Sequence, residues 1–252
     1  MKNTERFSNR VADYEKYRPH YPEAIIPYLS ATTGLSPQSV IADIGSGTGI
    51  SAQPFLDNGN TVFAVEPNNE MRASAEKQLE RFPGFKSVNG TAEHTTLPDH
   101  SIDLVVAAQA FHWFDRESAR KEFHRITKPG AFAVLMWNFR PINTPFEQDY
   151  EQLLRQYGND YQHMQHRSID AAQLAAFFLP DTFREKSIVN AQRFDFPALK
   201  GLLSSSSYMP DKTHPSYQPM VRALEDLFEK YKENGIVVFS YETKLYTGNP
   251  GA

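Results

Sequence analysis

The chain has 252 residues, a formal net charge of -4, 40% hydrophobic and 22% charged residues, and no cysteine. That length suits one large domain, or one domain carrying an inserted cap. The charge gives no reason to expect nucleic acid or an anionic membrane as partner. The missing cysteine rules out disulfides, thiolate metal sites and a cysteine nucleophile. The N-terminus is polar and aromatic, without the apolar core of a signal peptide, and no apolar run approaches the roughly 18 residues of a membrane span. A cytoplasmic protein is expected.

Residues 1–21 carry aromatics at Phe7, Tyr14, Tyr17 and Tyr21, with Arg18 and Pro19 among them. Pro22 is placed to open a helix through AIIPYLSATTG, which Pro27 would bend or shift. SVIADIG is a strand buried on both faces, because its apolar run does not alternate strictly. SAQPFLDNG is a helix stopped by glycine, and TVFAVEP a second buried strand ending at Pro67. NEMRASAEKQLERF is a helix with Met71, Ala75 and Leu79 on one face. FKSVNGTAE holds a short third strand, and SIDLVVAAQAFHWF a fourth that runs into an aromatic loop. RESARKEFHRITKPG is a helix whose end is marked by Pro129 and Gly130, followed by a fifth strand, AFAVLMWN.

The rhythm changes after Asn138. Helices are expected near 145–157 and 169–178, a strand near 185–196, and loops through Ser204–Ser207 and Pro210–Pro219. A long helix, PMVRALEDLFEKYKENG, then precedes a late alternating strand, IVVFSYETKLYTG. Strands alternating with helices predict a mostly parallel α/β sheet covered on both faces. The late strand suits an antiparallel partner at its edge.

The segment IADIGSGTGI carries the chemistry. An apolar run ends in Asp43, and Gly45, Gly47 and Gly49 alternate behind it. Such a turn leaves the backbone bare where a ligand must approach, and the following helix presents N-terminal amides there. A phosphate-cradling P-loop needs Lys and Ser or Thr directly after its last glycine, but Ile50 and Ser51 stand there. A dinucleotide fingerprint needs its third glycine at position 50, again Ile50. Glu66 closes the second strand, where a carboxylate accepts hydrogen bonds from ribose hydroxyls. That role serves a dehydrogenase equally well.

The alternating glycines behind Asp43, the stretch VEPNNEMR, the segment GTAEHTTLPDHSIDLV and the run AAQAFHWFD together resemble the class I S-adenosylmethionine-dependent methyltransferases, with a type 11 methyltransferase domain. The run AAQAFHWFD and the N-terminal YEKYRPHYP are similar to the trans-aconitate-type small-molecule enzymes of that class. The resemblance covers about residues 7–138 and, more weakly, 236–248. It implies a Rossmann-like sheet with one late antiparallel strand, residues 1–138 and 184–252 as the methyltransferase domain, 1–30 as a lid, and 139–183 as a helical cap.

It also implies S-adenosyl-L-methionine as cofactor. Tyr14, Asp43, Gly45, Ser46, Gly47, Gly49, Glu66, Pro67, Met71, Ala92, Glu93 and Gln109 would bind it, with Glu93 and the Ala92 amide meeting the adenine edge. Phe111, His112 and Trp113 would form the acceptor wall. His112, Tyr17 and Arg18 would be the catalytic residues: His112 as a general base unless it is a structural histidine, Tyr17 closing from the lid, and Arg18 as either a two-point carboxylate contact or a structural ion pair. No metal ion is expected. The partner would be a small-molecule methyl acceptor, and the chain a monomer or homodimer. A non-catalytic cofactor-binding protein and an NAD-dependent oxidoreductase stand as rival readings.

Overall fold

The computed structural model describes residues 17–159, 161, 171–180, 182–206 and 208–250. Tyr14, and with it the first half of the expected lid, lies outside them. The elements in chain order are α1 (Ile25–Thr33), β1 (Val40–Ile44), α2 (Gln53–Asp57), β2 (Thr61–Val65), α3 (Asn69–Leu79), β3 (Phe85–Val88), β4 (Ile102–Ala108), α4 (Arg116–Ile126) and β5 (Thr127–Phe139). They continue with α5 (Pro145–Tyr157), α6 (Ala171–Phe178), β6 (Phe183–Phe194), α7 (Phe196–Ser204), α8 (Tyr217–Tyr231) and β7 (Val237–Gly248).

Seven strands form one sheet in the order β3-β2-β1-β4-β5-β7-β6. The first five pair in parallel, and β7 runs antiparallel to both β5 and β6. From β1 the chain winds outward through β2 and β3, then returns to β4 on the other side. The strand order therefore reverses between β1 and β4, and the loops leaving their C-terminal ends diverge around a crevice. The central strands β1 and β4 are buried along nearly their whole length, as strands with helices on both faces must be. One face packs against α4 and α6 through Phe123, Leu174, Phe177 and Phe178. The other packs against α1 and α2 through Ile25, Leu29, Phe55 and Leu56.

A third apolar cluster lies beyond the sheet. In β7, residues 242–248 pair with β5, whereas Val237–Tyr241 pair with β6 alone. This two-stranded extension carries Phe194, Val237, Phe239 and Tyr241 into a cluster with α5, α7 and α8. Helix α8 buries Met220, Leu224, Leu227 and Phe228, an i, i+4, i+7, i+8 stripe. Helix α5 begins with a capping box, Thr144 and Glu147 satisfying each other's backbone donors. The second oxygen of the Glu147 carboxylate accepts from the Ser240 amide at 3.1 Å, tying α5 to the extension.

Two elements depart from the sequence expectation. Helix α4 stops at Ile126 rather than at Pro129 and Gly130. Its last turn is closed by the Thr127 hydroxyl, which donates to the Phe123 carbonyl at 2.8 Å. The chain is already extended there, and Pro129 and Gly130 sit in an irregularity of β5, where Ile102 faces Thr127 but Leu104 faces Phe132. The stretch 196–204, where the sequence pattern marks no helix, is helix α7, opened by Asp195 accepting from the Ala198 amide at 2.8 Å. Gly201 interrupts its apolar pattern because a side chain there would collide with the Tyr17 ring.

Glu122 of α4 locks the loop before β4 to that helix. Its Oε1 accepts from the Thr95 amide at 2.8 Å and hydroxyl at 2.6 Å, while Arg125 donates to both of its oxygens. Burial alone would raise this carboxyl, but the hydrogen bonds from Arg125 and Thr95 outweigh it and hold the group down to about 2. A depressed carboxyl stabilises the fold above its ordinary value, and that contribution is lost as pH falls toward the depressed one. Urea unfolding of wild type and Glu122→Gln should therefore show the variant less stable at pH 7 by about 2 kcal/mol, with the gap shrinking at pH 3.

Candidate functional site

A cavity of about 720 Å³ opens at the C-terminal ends of β1, β2, β4 and β5. Its floor is the turn after β1. Gly45, Gly47 and Gly49 all hold positive φ, at 69°, 57° and 86°, which only glycine adopts without strain. Their further reasons differ. A Cβ on Gly45 would meet the Ala110 Cβ at 2.7 Å, and one on Gly49 would meet the Ala75 Cβ at 3.4 Å and run into the Leu79 side chain. These two glycines admit β4's loop and α3. At Gly47 the nearest atom is Met71 Sδ at 3.8 Å, so the space over this residue is open. Gly45 and Gly47 line the cavity and Gly49 does not; its work is packing.

Glu66, at the end of β2, is 7% exposed. Its Oε2 accepts from the Gly47 amide at 2.9 Å and its Oε1 from the Asn68 amide at 2.8 Å. One carboxylate thus joins the glycine turn to the start of α3, and the cap of α3 is Asn68, whose side chain accepts from Glu70 and Met71 amides. Burial raises the Glu66 carboxyl, opposed by those two amides. Asp43 is fully buried beneath the turn, outside the cavity wall. Its Oδ2 accepts from the Ser51 hydroxyl at 2.7 Å, and burial, reinforced by the charge of Glu66, pushes its carboxyl up to about 7. Asp43 thus braces the loop through a side chain and not through loop amides.

Three buried polar atoms at this turn, Asp43 Oδ1, Ser46 Oγ and Thr48 Oγ1, have no hydrogen-bond partner among the described residues. Buried polar groups in native proteins are almost always paired, so such a group of orphans marks a place built for another molecule. Two desolvated carboxylates beside them favour a molecule carrying positive charge.

The adjoining walls come from three further loops. Pro67 and Met71 line the cavity beside Glu66, and Ala92 and Glu93 line it after β3. Glu93 Oε1 accepts from the Asp115 amide at 2.9 Å, which fixes the carboxylate against the start of α4. After β4, Gln109 takes φ 55°, donates its amide to the Met136 carbonyl at 2.9 Å, and its side chain donates to the Asn138 carbonyl at 3.2 Å. The turn Phe111–Trp113 follows. His112 and Trp113 reach the cavity, their rings 4.7 Å apart.

Phe111, expected in the acceptor wall, is 2% exposed and faces inward. It packs edge-on against Phe177, Trp137 and Phe114, because a short turn with alternating directions must send one aromatic to the core. Tyr17 packs on α7 and is absent from the cavity wall, whereas Arg18 lines it and donates to the Ser205 carbonyl at 3.4 Å.

Sequence reasoning missed the far end of the cavity. Asn138, Arg140, Tyr150, Glu151, Tyr208 and Tyr241 line it, yet none sits in a motif. The one available signal was position: Asn138 and Arg140 flank the C-terminal end of β5, the edge of an open α/β sheet where ligands bind. Among the described residues no cluster of acidic and histidine side chains has the make-up of a metal site, and no described helix is long and apolar enough to cross a membrane.

The sheet order, the glycine turn and the acidic end of β2 define a Rossmann-like nucleotide-cofactor fold. A methyltransferase-domain family model matches residues 42–135. An uncharacterized methyltransferase of Schizosaccharomyces pombe is 30% identical over 202 residues, covering 80% of this chain and 78% of that protein. A methyltransferase-like protein of the same yeast is 34% identical over 61% of this chain, and the match spans only 59% of its own length. A solved structure described as a type II methyltransferase of Anaeromyxobacter dehalogenans superposes with a TM-score of 0.68 at 21% identity, over 93% of this chain and 98% of that one, a likeness of fold. The chain belongs to the class I S-adenosylmethionine-dependent methyltransferases.

The raised Asp43 carboxyl gives a test of the site without any ligand. A carboxyl raised on folding costs nothing while protonated in both states, and destabilises the fold increasingly as pH rises from about 4 to 7. Asp43→Asn keeps an acceptor for Ser51 and cannot ionise. Thermal unfolding should find it about as stable as wild type near pH 4 and more stable at pH 8, by at least about 1 kcal/mol.

Proposed function

We propose that this chain binds S-adenosyl-L-methionine in the crevice between β1 and β4 and transfers its methyl group to a small-molecule acceptor by direct in-line displacement. The observation that carries this reading is the convergence of the bare Gly47 turn, its orphaned polar atoms and the buried Glu66 carboxylate. Glu66 keeps lone pairs for the ribose hydroxyls beyond those given to two amides. Glu93 and the Ala92 amide would read the adenine edge, and Ser46 and Thr48, braced from beneath by Asp43, would meet the polar methionine end. Bound there, the cofactor supplies a methyl carbon already attached to a good leaving group.

What remains for the protein is alignment and the exclusion of water. The Phe111–Trp113 turn adjoins the glycine loop, where Ala110 and Phe114 abut Gly45, so His112 and Trp113 in the cavity wall would flank the acceptor atom. An acceptor hydroxyl or amine would give up its proton to His112 as the new bond forms, and a carboxylate acceptor would need no base. The cavity volume of about 720 Å³ lies within the range that encloses one cofactor and a compact second molecule. The expected cap at 139–183 would be completed by α7 and α8, which share a core with α5 and cover the strand ends.

Calorimetric titration should give one S-adenosylmethionine site in the wild type. Glu66→Ala should weaken it by one to two orders of magnitude, since hydrogen bonds to a charged group contribute about 1.5–3 kcal/mol each. Binding of NAD in place of S-adenosylmethionine would overturn the proposal. His112→Ala should lower turnover of an acceptor at least tenfold with cofactor affinity within about twofold; equal loss of both would remove His112 from the acceptor's side.

A further inference from the structure

Strand β4 ends at Ala108, while its neighbour β5 runs on to Phe139. The Met136 carbonyl still takes a ladder hydrogen bond, from the Gln109 amide at 2.9 Å. By the two-residue repeat of a strand, the Asn138 carbonyl faces the same side, where β4 no longer runs. Gln109 supplies the missing donor with its side chain, at 3.2 Å. Its backbone takes φ 55°, a conformation that is costly for a residue with a side chain and persists only where the surroundings hold it. The loop that carries His112 and Trp113 therefore leaves the sheet in a direction fixed by the end of β5.

The side chain of Asn138 joins two further segments. Its Oδ1 accepts from the hydroxyl of Thr243 on β7, and its Nδ2 donates to the Pro19 carbonyl at 3.2 Å. Only this orientation satisfies both neighbours, because a carbonyl accepts and never donates. Thr243 is fully buried, so the amide is held from within the sheet. Arg18, Pro19 and Tyr21 line the cavity, and this wall has other anchors. Asn190 donates to the His20 carbonyl at 2.8 Å, and Arg18 to that of Ser205 at 3.4 Å. Asn138 differs from them in holding the wall and the loop after β4 at once.

We propose that Asn138 is a positioning residue that couples the cavity wall at residues 18–21 to the loop at residues 109–113, so that the cavity closes and the groups flanking the acceptor come into line together. The proposal rests on the methyltransferase reading above and adds a residue to its machinery. In-line transfer tolerates little misalignment and requires that water be kept away, so a wall released from Asn138 would slow the reaction. The contacts proposed for the cofactor at Gly47 and Glu66 lie on β1 and β2 and do not pass through Asn138. Loss of this residue's side chain therefore separates turnover from cofactor affinity, which a general loss of stability would not do.

The test compares Asn138→Asp, Asn138→Ser and Asn190→Ala in the full chain. Aspartate matches asparagine in size and keeps an acceptor for Thr243, but sets a charged acceptor against the Pro19 carbonyl. Serine adds no charge and cannot reach that carbonyl, and it serves where the aspartate variant does not fold. Asn190→Ala removes a neighbouring anchor of the same wall without touching the loop. Calorimetry reads S-adenosylmethionine affinity, and label passed from saturating S-adenosylmethionine into a metabolite extract reads turnover. Amide exchange with S-adenosylmethionine bound reads the wall and the loop. The Asn138 variants should transfer label at least about tenfold more slowly, with affinity within about threefold of wild type. Exchange should quicken in them at residues 18–21 and 109–113 together, and Asn190→Ala should keep turnover within about twofold. Unchanged turnover in the Asn138 variants, affinity that falls in step with turnover, exchange that quickens in one segment alone, or an equal loss in Asn190→Ala would each overturn the coupling and leave the enzyme class standing. A wild type that binds no S-adenosylmethionine, or labels nothing in the extract, overturns the methyltransferase reading and the coupling with it.

Discussion

One buried carboxylate organises the site. Glu66 takes an amide hydrogen bond from Gly47 on one side and from Asn68 on the other, so the glycine turn and the link from β2 to α3 meet at a single charge. The arrangement has a cost, because burial raises that carboxyl and the neighbouring Asp43 with it. Two desolvated acids beside orphaned hydroxyls are poorly compensated within the chain. A ligand that brings hydroxyl donors and positive charge relieves both deficits. Stability and function thus oppose each other at this turn, as they commonly do where a fold holds a preformed binding site.

The sheet makes that arrangement possible. Parallel strands β1 and β4 are buried on both faces and point their C-terminal ends at one crevice, so loops of little intrinsic order inherit rigid anchors. Glu122, through Thr95 and Arg125, fixes the loop that carries Ala92 and Glu93. The strands β6 and β7 then continue past β5 and carry a separate apolar cluster over the same edge. One sheet therefore supplies both the floor and the support for the covering layer, and the cavity lies between them.

What the sequence revealed and what it concealed follow from the range of the interactions. The Gly45–Gly49 turn, Glu66 and the Ala92–Glu93 step lie in short stretches whose spacing alone carries the information. Apolar runs of the right length located β1, β2, β4 and β5 for the same reason, and alternation located β7. The purpose of individual glycines was hidden, since Gly49 is explained by Leu79 and Gly201 by Tyr17, partners remote in sequence. The burial of Phe111 among Phe177 and Trp137 was hidden likewise. Arg140 acquires its character from Tyr150 and Glu151 of α5 and Phe239 of β7, elements remote from it and from each other in sequence. No local pattern encodes such a meeting.

Amide hydrogen exchange across the whole chain, with and without S-adenosylmethionine, tests the central claim most directly. Slowed exchange should appear together at the Gly45–Ile50 turn, at Glu66–Met71 and around Ala92–Glu93, and at a concentration that just saturates the wild type Glu66→Ala should lose most of it at all three. Protection confined to the helices beyond the sheet, or a glycine turn that exchanges equally fast with and without the compound, would contradict the account.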